Sequence, residues 1–129
     1  MPSTITGNES NQASSGYDLT KGARTTLKRW LKDYDNATGR ESTLDVSAAT
    51  EITWKLLTDM KAGTVATLSK TLSGATITRP NSGTDGQIQV VIDDSDLSTI
   101  DLGYYYSHVV VTIGGEPYEM RPAVVCIRP

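Results

Sequence analysis

The chain has 129 residues, of which 37% are hydrophobic and 21% charged, and its formal net charge is −3. This length predicts one domain with a core of its own, and the negative charge argues against a nucleic-acid partner, since contacts to phosphates need clustered lysine and arginine. Cys126 is the only cysteine, which excludes an intrachain disulfide and suits a reducing cytoplasm.

The first 16 residues consist mainly of Ser, Thr, Asn, Gly and Gln, and they lack the basic start and apolar centre of a signal peptide. No segment approaches the roughly 18 consecutive apolar residues that a membrane span needs. We therefore expect synthesis in the cytoplasm and no membrane partner. Because such a polar segment buries little, residues 1–16 are predicted to form an extended arm that becomes ordered on a neighbour, before a folded domain at 17–129.

Residues 24–34 fit two structures. Leu27, Trp30, Leu31 and Tyr34 are spaced as on one face of an amphipathic helix. The adjacent Thr25-Thr26 pair and the β-like pattern downstream favour a strand instead, placed near a sheet edge with Trp30 on its outward face. We predict a strand.

The middle of the chain alternates more clearly. Ile52, Trp54 and Leu56 predict a strand with an inward tryptophan, and Ile88, Val90 and Ile92 predict another over 87–93. Between them, 64–72 is predicted to be a strand and 74–79 a shorter one. The glycines and proline of 80–86 mark a turn.

The last third carries the strongest local signal. Gly114-Gly115 separates two alternating segments, 104–113 and 118–128, and glycine adopts without strain the positive φ that a type I′ turn requires. This predicts a β-hairpin, with Pro122 interrupting the second strand. In the first strand, Tyr105 shares one face with Val109 and Val111, and Tyr104 and Tyr106 share the other with Val110, so both faces carry apolar groups, as in a central strand. About seven strands result, as in an immunoglobulin-like antiparallel β-sandwich.

The loop 93–101 holds the densest group of carboxylates, namely Asp93, Asp94, Asp96 and Asp101. Their spacing lacks the glycine and glutamate of a helix-loop-helix calcium site, so we predict no metal. We expect a solvated loop in which Asp94 or Asp96 caps a helical turn over 95–100. A hydrolase that uses this loop is the least favoured function.

Other chemistry has little support in the sequence. His108 is the only histidine and lies in mid-strand, so we expect a packed side chain at a surface or an interface and no catalytic role. Cys126 is flanked by Val124, Val125 and Ile127 and is expected to be a small buried residue. No phosphate-binding glycine loop and no metal-ligand spacing occurs, so no cofactor is expected.

The tyrosines after Gly103 allow two roles. One of them is expected to form a tyrosine corner, whose hydroxyl bonds the backbone shortly upstream. The others remain available for a protein partner or for stacking on sugar rings.

A further set of short signatures resembles one family. They are Gly22 before a strand, Asp33 at its end, the run 44–49 before Ile52-Thr53-Trp54, Gly83 before the next strand, the loop 93–102, and Gly103 followed by Tyr104-Tyr105-Tyr106. Over residues 17–129 the chain resembles the small immunoglobulin-like domain of tailed-phage virion proteins, such as the N-terminal domain of baseplate upper proteins and related tail-fibre or head accessory proteins. It departs from the pattern at Ala23, where that family usually has aspartate, and at Ala48, where it has glycine.

The resemblance implies a structural role in a virion and brings no catalytic residues. We expect docking onto other virion proteins, in several copies per particle, by strand addition and apolar contacts. A carbohydrate-binding or host-adhesion module is the alternative. The residues predicted to contact a partner are Pro2, Ile5 and Ser15 in the arm, Trp30, and Tyr104, Tyr106 and His108 on one strand face.

Overall fold

A computed structural model describes residues 7–8, 17–35 and 37–129. Within these residues the chain forms twelve strands and one four-residue helix, and no helix has the length and apolar character to cross a bilayer. In chain order the elements are β1 (Gly7–Asn8), β2 (Tyr17–Thr20), β3 (Thr25–Trp30), β4 (Lys32–Asp35), β5 (Arg40–Thr43), β6 (Ala49–Leu57), β7 (Leu68–Thr71), β8 (Ile77–Thr78), β9 (Gln87–Ile92), α1 (Asp94–Leu97), β10 (Gly103–Ile113), β11 (Glu116–Arg121) and β12 (Ala123–Arg128).

The larger sheet is centred on β10. One edge of β10 pairs antiparallel with β6, which in turn pairs with the edge strand β7. The other edge of β10 is shared, because β12 pairs with its first half and β11 with its second half. Beyond these, β1 lies parallel to β11 and β2 lies parallel to β12. Seven strands thus form one twisted layer around a single long strand.

The second layer is the antiparallel sheet β3–β9–β8, and β4 and β5 form a separate two-stranded antiparallel sheet. Hydrogen bonds from the Leu31 amide to Gly86 O (2.9 Å) and from the Leu44 amide to Leu31 O (3.0 Å) join the base of the β4–β5 pair to the start of β9. The two layers form an all-β sandwich in which most strand pairs are antiparallel, as the sequence predicts.

The core lies between the layers and is built from the alternate residues that the sequence indicates. On the larger sheet Trp54 is fully buried, and its indole N–H donates to Tyr17 Oη at 3.2 Å. Burial of alternate apolar residues supplies most of the favourable folding free energy. The other core residues without exposure include Ile52, Leu56, Val109, Val111 and Val125 on the larger sheet, and Ile88, Val90 and Ile92 on β9.

The terminal hairpin is confirmed. Ile113 pairs with Glu116 across Gly114 and Gly115, whose φ angles of 60° and 81° are both positive. The tyrosine corner is also confirmed, because Tyr105 Oη donates a 2.7 Å hydrogen bond to Asp101 O. Burial, and then the Asp101 carboxylate, raise the pKa of Tyr105, so its hydroxyl remains a donor.

Several predicted boundaries need correction. The strand at 24–34 is confirmed but breaks at Leu31, so that β3 and β4 belong to different sheets. The strand predicted at 64–72 is limited to β7, and the strand predicted at 74–79 is limited to β8. Strand β5 was not predicted from the sequence. The count of about seven strands is exceeded because β1, β2 and β5 were not predicted and because two predicted strands are each divided, one at Leu31 and the other at Pro122.

Candidate functional site

The outer face of the larger sheet carries exposed apolar side chains. Because side chains alternate along β10, Tyr104 and Tyr106 point away from the core that Tyr105 joins. Cross-strand pairing sets Tyr104 beside Cys126 and Tyr106 beside Val124. We call these four residues the tyrosine patch. Tyr104, Tyr106 and Val124 are 75%, 39% and 45% exposed, and Cys126 is half-buried instead of buried as predicted, because it faces outward on β12.

Next to this patch the same face forms an open pocket of about 200 Å³. Its floor comes from outward residues of β6 and β10, its wall from the loop after β6, and its rim from β11. We call it the lysine pocket. It is lined by Lys55, Leu57, Met60, Lys61, Ala62, Thr64, His108, Val110 and Glu119.

One aspartate shapes the wall of the lysine pocket. Asp59 Oδ1 accepts hydrogen bonds from Thr64 Oγ1 at 2.6 Å and from the Lys61 amide at 2.8 Å. The bond from Thr64 and then that from Lys61 lower the pKa of Asp59, so it is ionised at neutral pH. The loop closes further through the Thr64 amide, which donates to Lys61 O at 3.2 Å. These bonds explain why the predicted strand at 64–72 begins only at Leu68.

The lysine pocket carries charged side chains of both signs. His108 Nε2 lies 3.7 Å from Glu119 Oε1. Burial lowers the pKa of His108, Glu119 opposes this shift and Lys55 adds to it. With the imidazole therefore largely neutral at pH 7, the lining carries the charges of Lys55, Lys61 and Glu119.

The acidic loop does not gather its carboxylates at one point. Asp93 pairs with Arg24 at 3.2 Å and Asp96 pairs with Lys70 at 2.7 Å, while Asp94 and Asp101 are exposed. Asp93 precedes α1 as its N-cap, so the predicted cap at Asp94 or Asp96 is wrong; the Asp93 amide donates to Asp96 Oδ2 at 2.8 Å. Among the described residues no group of three or more Asp, Glu, His or Cys is arranged to hold a metal ion.

The Lys70–Asp96 pair ties the edge strand β7 to α1, with side-chain exposures of 10% and 21%. Burial alone would raise the pKa of Asp96; the hydrogen bonds from Lys70 and the Asp93 amide, with the charge of Lys70, outweigh it and lower the pKa below 3.8. A lowered pKa means that the ionised form stabilises the fold above about pH 4, and that this stabilisation is lost as pH falls through the folded-state pKa.

We expect Asp96→Asn to lower the free energy of unfolding at pH 7 by about 1–3 kcal/mol, because Lys70 then remains buried without its ionic partner. The deficit relative to wild type should shrink as pH falls below about 4 and approaches the lowered folded-state pKa of Asp96. Urea unfolding at pH 7, 5 and 3 measures it. The exposed Asp94→Asn serves as control and should change stability by less than about 0.5 kcal/mol. Equal loss at all three pH values would contradict the ion-pair explanation.

The structure places the predicted contact residues in three locations. Tyr104, Tyr106 and His108 lie together on the outer face of β10, as predicted. Trp30 is half-buried and pairs with Gln87 in the other sheet, away from this group. Pro2, Ile5 and Ser15 lie outside the described residues. Within the arm, Gly7–Asn8 pairs with Met120 and Arg121 of the chain's own sheet.

Sequence reasoning did not find Lys55, Lys61 or Glu119 as part of a site. Lys55 is one of the polar residues that alternate with apolar ones along its strand. Lys61 lies in a loop, and Glu119 lies in the terminal hairpin. The sequence alone held no signal for this grouping. His108 pairs with Lys55 and Val110 pairs with Glu119 only in the assembled sheet.

Comparison with known proteins finds similarity to solved structures, one of which is described below. No family model and no curated protein sequence matches the chain. An endo-β-1,4-mannanase structure from Thermotoga petrophila aligns with 97% of this chain at 10% sequence identity and a TM-score of 0.49. The chain spans 20% of the length of that protein.

Proposed function

We propose that this domain is a non-enzymatic structural module that docks onto another protein through the outer face of its larger sheet, as a component of a tailed-phage virion. The tyrosine patch is the observation that carries the docking proposal. The virion setting rests on the resemblance of residues 17–129 to the immunoglobulin-like domains of phage proteins.

Two aromatic side chains, Tyr104 and Tyr106, lie exposed on the outer face of the larger sheet. The chain has a complete core, yet Tyr104 is 75% exposed on a central strand. Tyrosine supplies a large contact area at a low entropy cost and keeps a hydroxyl for hydrogen bonding, which is why interfaces are enriched in it. Cross-strand neighbours on β12 add Val124 and Cys126 to the same surface. The outer face of the sheet therefore presents exposed aromatic and aliphatic side chains side by side.

Multiplicity would strengthen such a contact. A virion holds many copies of its structural proteins at defined positions, so a modest interface per copy yields a stable attachment through avidity. The acidic loop supports this assignment over a hydrolase, because Asp93 and Asp96 are engaged in separate ion pairs.

We expect wild-type protein supplied in trans to be incorporated into particles of the source phage. Incorporation of the double variant Tyr104→Ser, Val124→Ser should fall at least about tenfold, because buried aromatic anchors dominate interface energies. Quantitative mass spectrometry of purified particles measures the incorporation. Val65→Ser removes an apolar side chain that is 86% exposed but lies outside the tyrosine patch, and it should be incorporated normally. Absence of the wild-type chain from particles would refute the virion role, and normal incorporation of the double variant would refute docking by this face.

The exposed pair Tyr104 and Tyr106 also favours a second candidate, carbohydrate binding. Their attachment points lie about 7 Å apart along one strand, a spacing over which aromatic rings offer a stacking surface. A glycan array with the isolated wild-type chain tests this function. If the wild-type chain binds a defined glycan and the double variant does not, host adhesion would replace protein docking as the proposed function.

A further inference from the structure

We infer that the lysine pocket binds an acidic segment of the docking partner, with a carboxylate side chain held beside Lys55 and Lys61 and an adjacent aliphatic side chain against Leu57 and Val110. This inference rests on the proposed function, because it specifies the chemistry of the partner at the same sheet face. The pocket adjoins the tyrosine patch, since Tyr106 lies two residues before His108 and pairs with Leu57.

The charges of Lys55 and Lys61 favour an acidic occupant. Lys55 lies opposite His108 on β10 and opposite Ser69 on β7, so no carboxylate faces it across either strand. Neither Lys55 nor Lys61 forms an ion pair within the described part of the chain. Glu119 is the acidic residue of the lining, and it lies beside His108. A partner carboxylate would supply the charge that the two lysines lack.

The size and lining of the pocket favour one or two side chains of a peptide. A volume of about 200 Å³ falls below the roughly 300–1,000 Å³ of small-molecule sites, so the pocket suits one or two side chains better than a metabolite. Its apolar lining is aliphatic, from Leu57, Met60, Ala62 and Val110, and contains no aromatic ring. Sugar recognition usually needs an aromatic stacking surface, and both exposed tyrosines lie outside the lining. The lining therefore fits an acidic peptide with aliphatic neighbours.

Binding at the lysine pocket should also depend on pH. His108 is faced by Lys55 from β6 and by Glu119 from β11, with Lys61 on the loop wall. A bound carboxylate favours the imidazolium over the neutral imidazole, so binding takes up a proton. Affinity should therefore rise as pH falls from 8 to 6, a range in which the partner carboxylates stay ionised.

A random heptapeptide display library is panned against the full chain at pH 6.5. The binding of synthetic copies of the enriched peptides is then measured by NMR titration. We expect Asp or Glu beside Leu, Ile or Val, with amide shifts at the lysine pocket. The variant Lys55→Glu, Lys61→Glu should weaken binding at least tenfold, and His108→Asn should abolish the gain between pH 8 and 6. The control Lys28→Glu, Arg40→Glu makes the same charge change on exposed residues of β3 and β5 and should bind normally.

Two results would overturn the inference: no enrichment of acidic peptides, or enrichment that Lys55→Glu, Lys61→Glu leaves unchanged. Thermal unfolding of each variant establishes that loss of binding is not loss of fold. Failure of this inference can be distinguished from failure of the docking proposal. If panning fails while Tyr104→Ser, Val124→Ser still prevents incorporation into particles, the sheet face docks without an acidic anchor; if that double variant is incorporated normally, docking by this face is itself wrong.

Discussion

Replacing Trp54 by alanine should lower the free energy of unfolding by about 3–5 kcal/mol, the range found for large aromatic side chains in well-packed cores. Trp54 is fully buried on β6 between the two layers. Its indole N–H donates to Tyr17 Oη, and the Tyr17 ring lies 3.9 Å beneath the Arg29 guanidinium. The substitution therefore removes a core side chain and a link from β6 to β2. Because domains of this size are stable by only about 5–15 kcal/mol, much of the stability is lost.

Urea unfolding followed by far-ultraviolet circular dichroism measures this loss without relying on the fluorescence of the replaced residue. Trp54→Phe keeps most of the apolar volume and removes the indole N–H, so it should cost less than the alanine variant, about 1–2 kcal/mol. This variant stays informative if Trp54→Ala fails to fold. A loss below about 1 kcal/mol for Trp54→Ala would contradict the packing described for the core.

The second large effect is expected at Gly86. Its φ of +77° lies in the left-handed region, and an added β-carbon would lie 2.8 Å from Leu31 O and 2.9 Å from Leu44 O. Both carbonyls are backbone atoms, and the Leu31 amide bonds to Gly86 O, so the surrounding chain cannot move aside independently. Gly86→Ala should therefore cost about 2–5 kcal/mol, the sum of left-handed strain and overpacking.

Gly22 provides a matched control for this experiment. Its φ of +83° is similar, but an added β-carbon would meet no atom within 4 Å. Gly22→Ala should therefore cost only the conformational strain, about 1–2 kcal/mol. Thermal and urea unfolding of both variants isolate the steric contribution as the difference between them. Equal losses at the two positions would mean that the close approach of the three backbone segments at Gly86 is wrong.

Stability and docking should be separable on β10 because alternate residues serve different faces. Tyr105 closes the tyrosine corner on the inner side, whereas its neighbours Tyr104 and Tyr106 contribute to the outer surface. Substitutions at the outer positions should leave unfolding nearly unchanged, since exposed side chains contribute little to the core. A loss of binding by these variants can therefore be read as a loss of contacts.

Local patterns predicted the strands whose two faces differ in polarity. Ile52, Trp54 and Leu56 alternate with polar neighbours and are all buried, and Gly114-Gly115 forms the hairpin turn. Prediction failed where side-chain hydrogen bonds compete with extended backbone. Asp59 accepts hydrogen bonds from the Lys61 amide and the Thr64 hydroxyl, and this keeps Thr64, which the alternation had placed at the start of a strand, in the loop.

The candidate site divides in the same way. The tyrosine patch follows from alternation along one strand, so Tyr104, Tyr106 and His108 were placed together from the sequence. Trp30 met the same criteria of aromatic character and outward direction, yet it lies in the other sheet. Sheet membership depends on which strands pair over long sequence separations, and single-strand periodicity carries no information about that pairing.

By itself the sequence determined an all-β sandwich with a terminal hairpin, a buried tryptophan and outward tyrosines, because these follow from side-chain alternation and from glycine at a tight turn. Only the tertiary structure decided that Lys55, Lys61, His108 and Glu119 line one pocket, and that Asp96 is neutralised by Lys70. The physical reason is register: residues far apart along the chain become neighbours only when backbone hydrogen bonds align β6, β10 and β11.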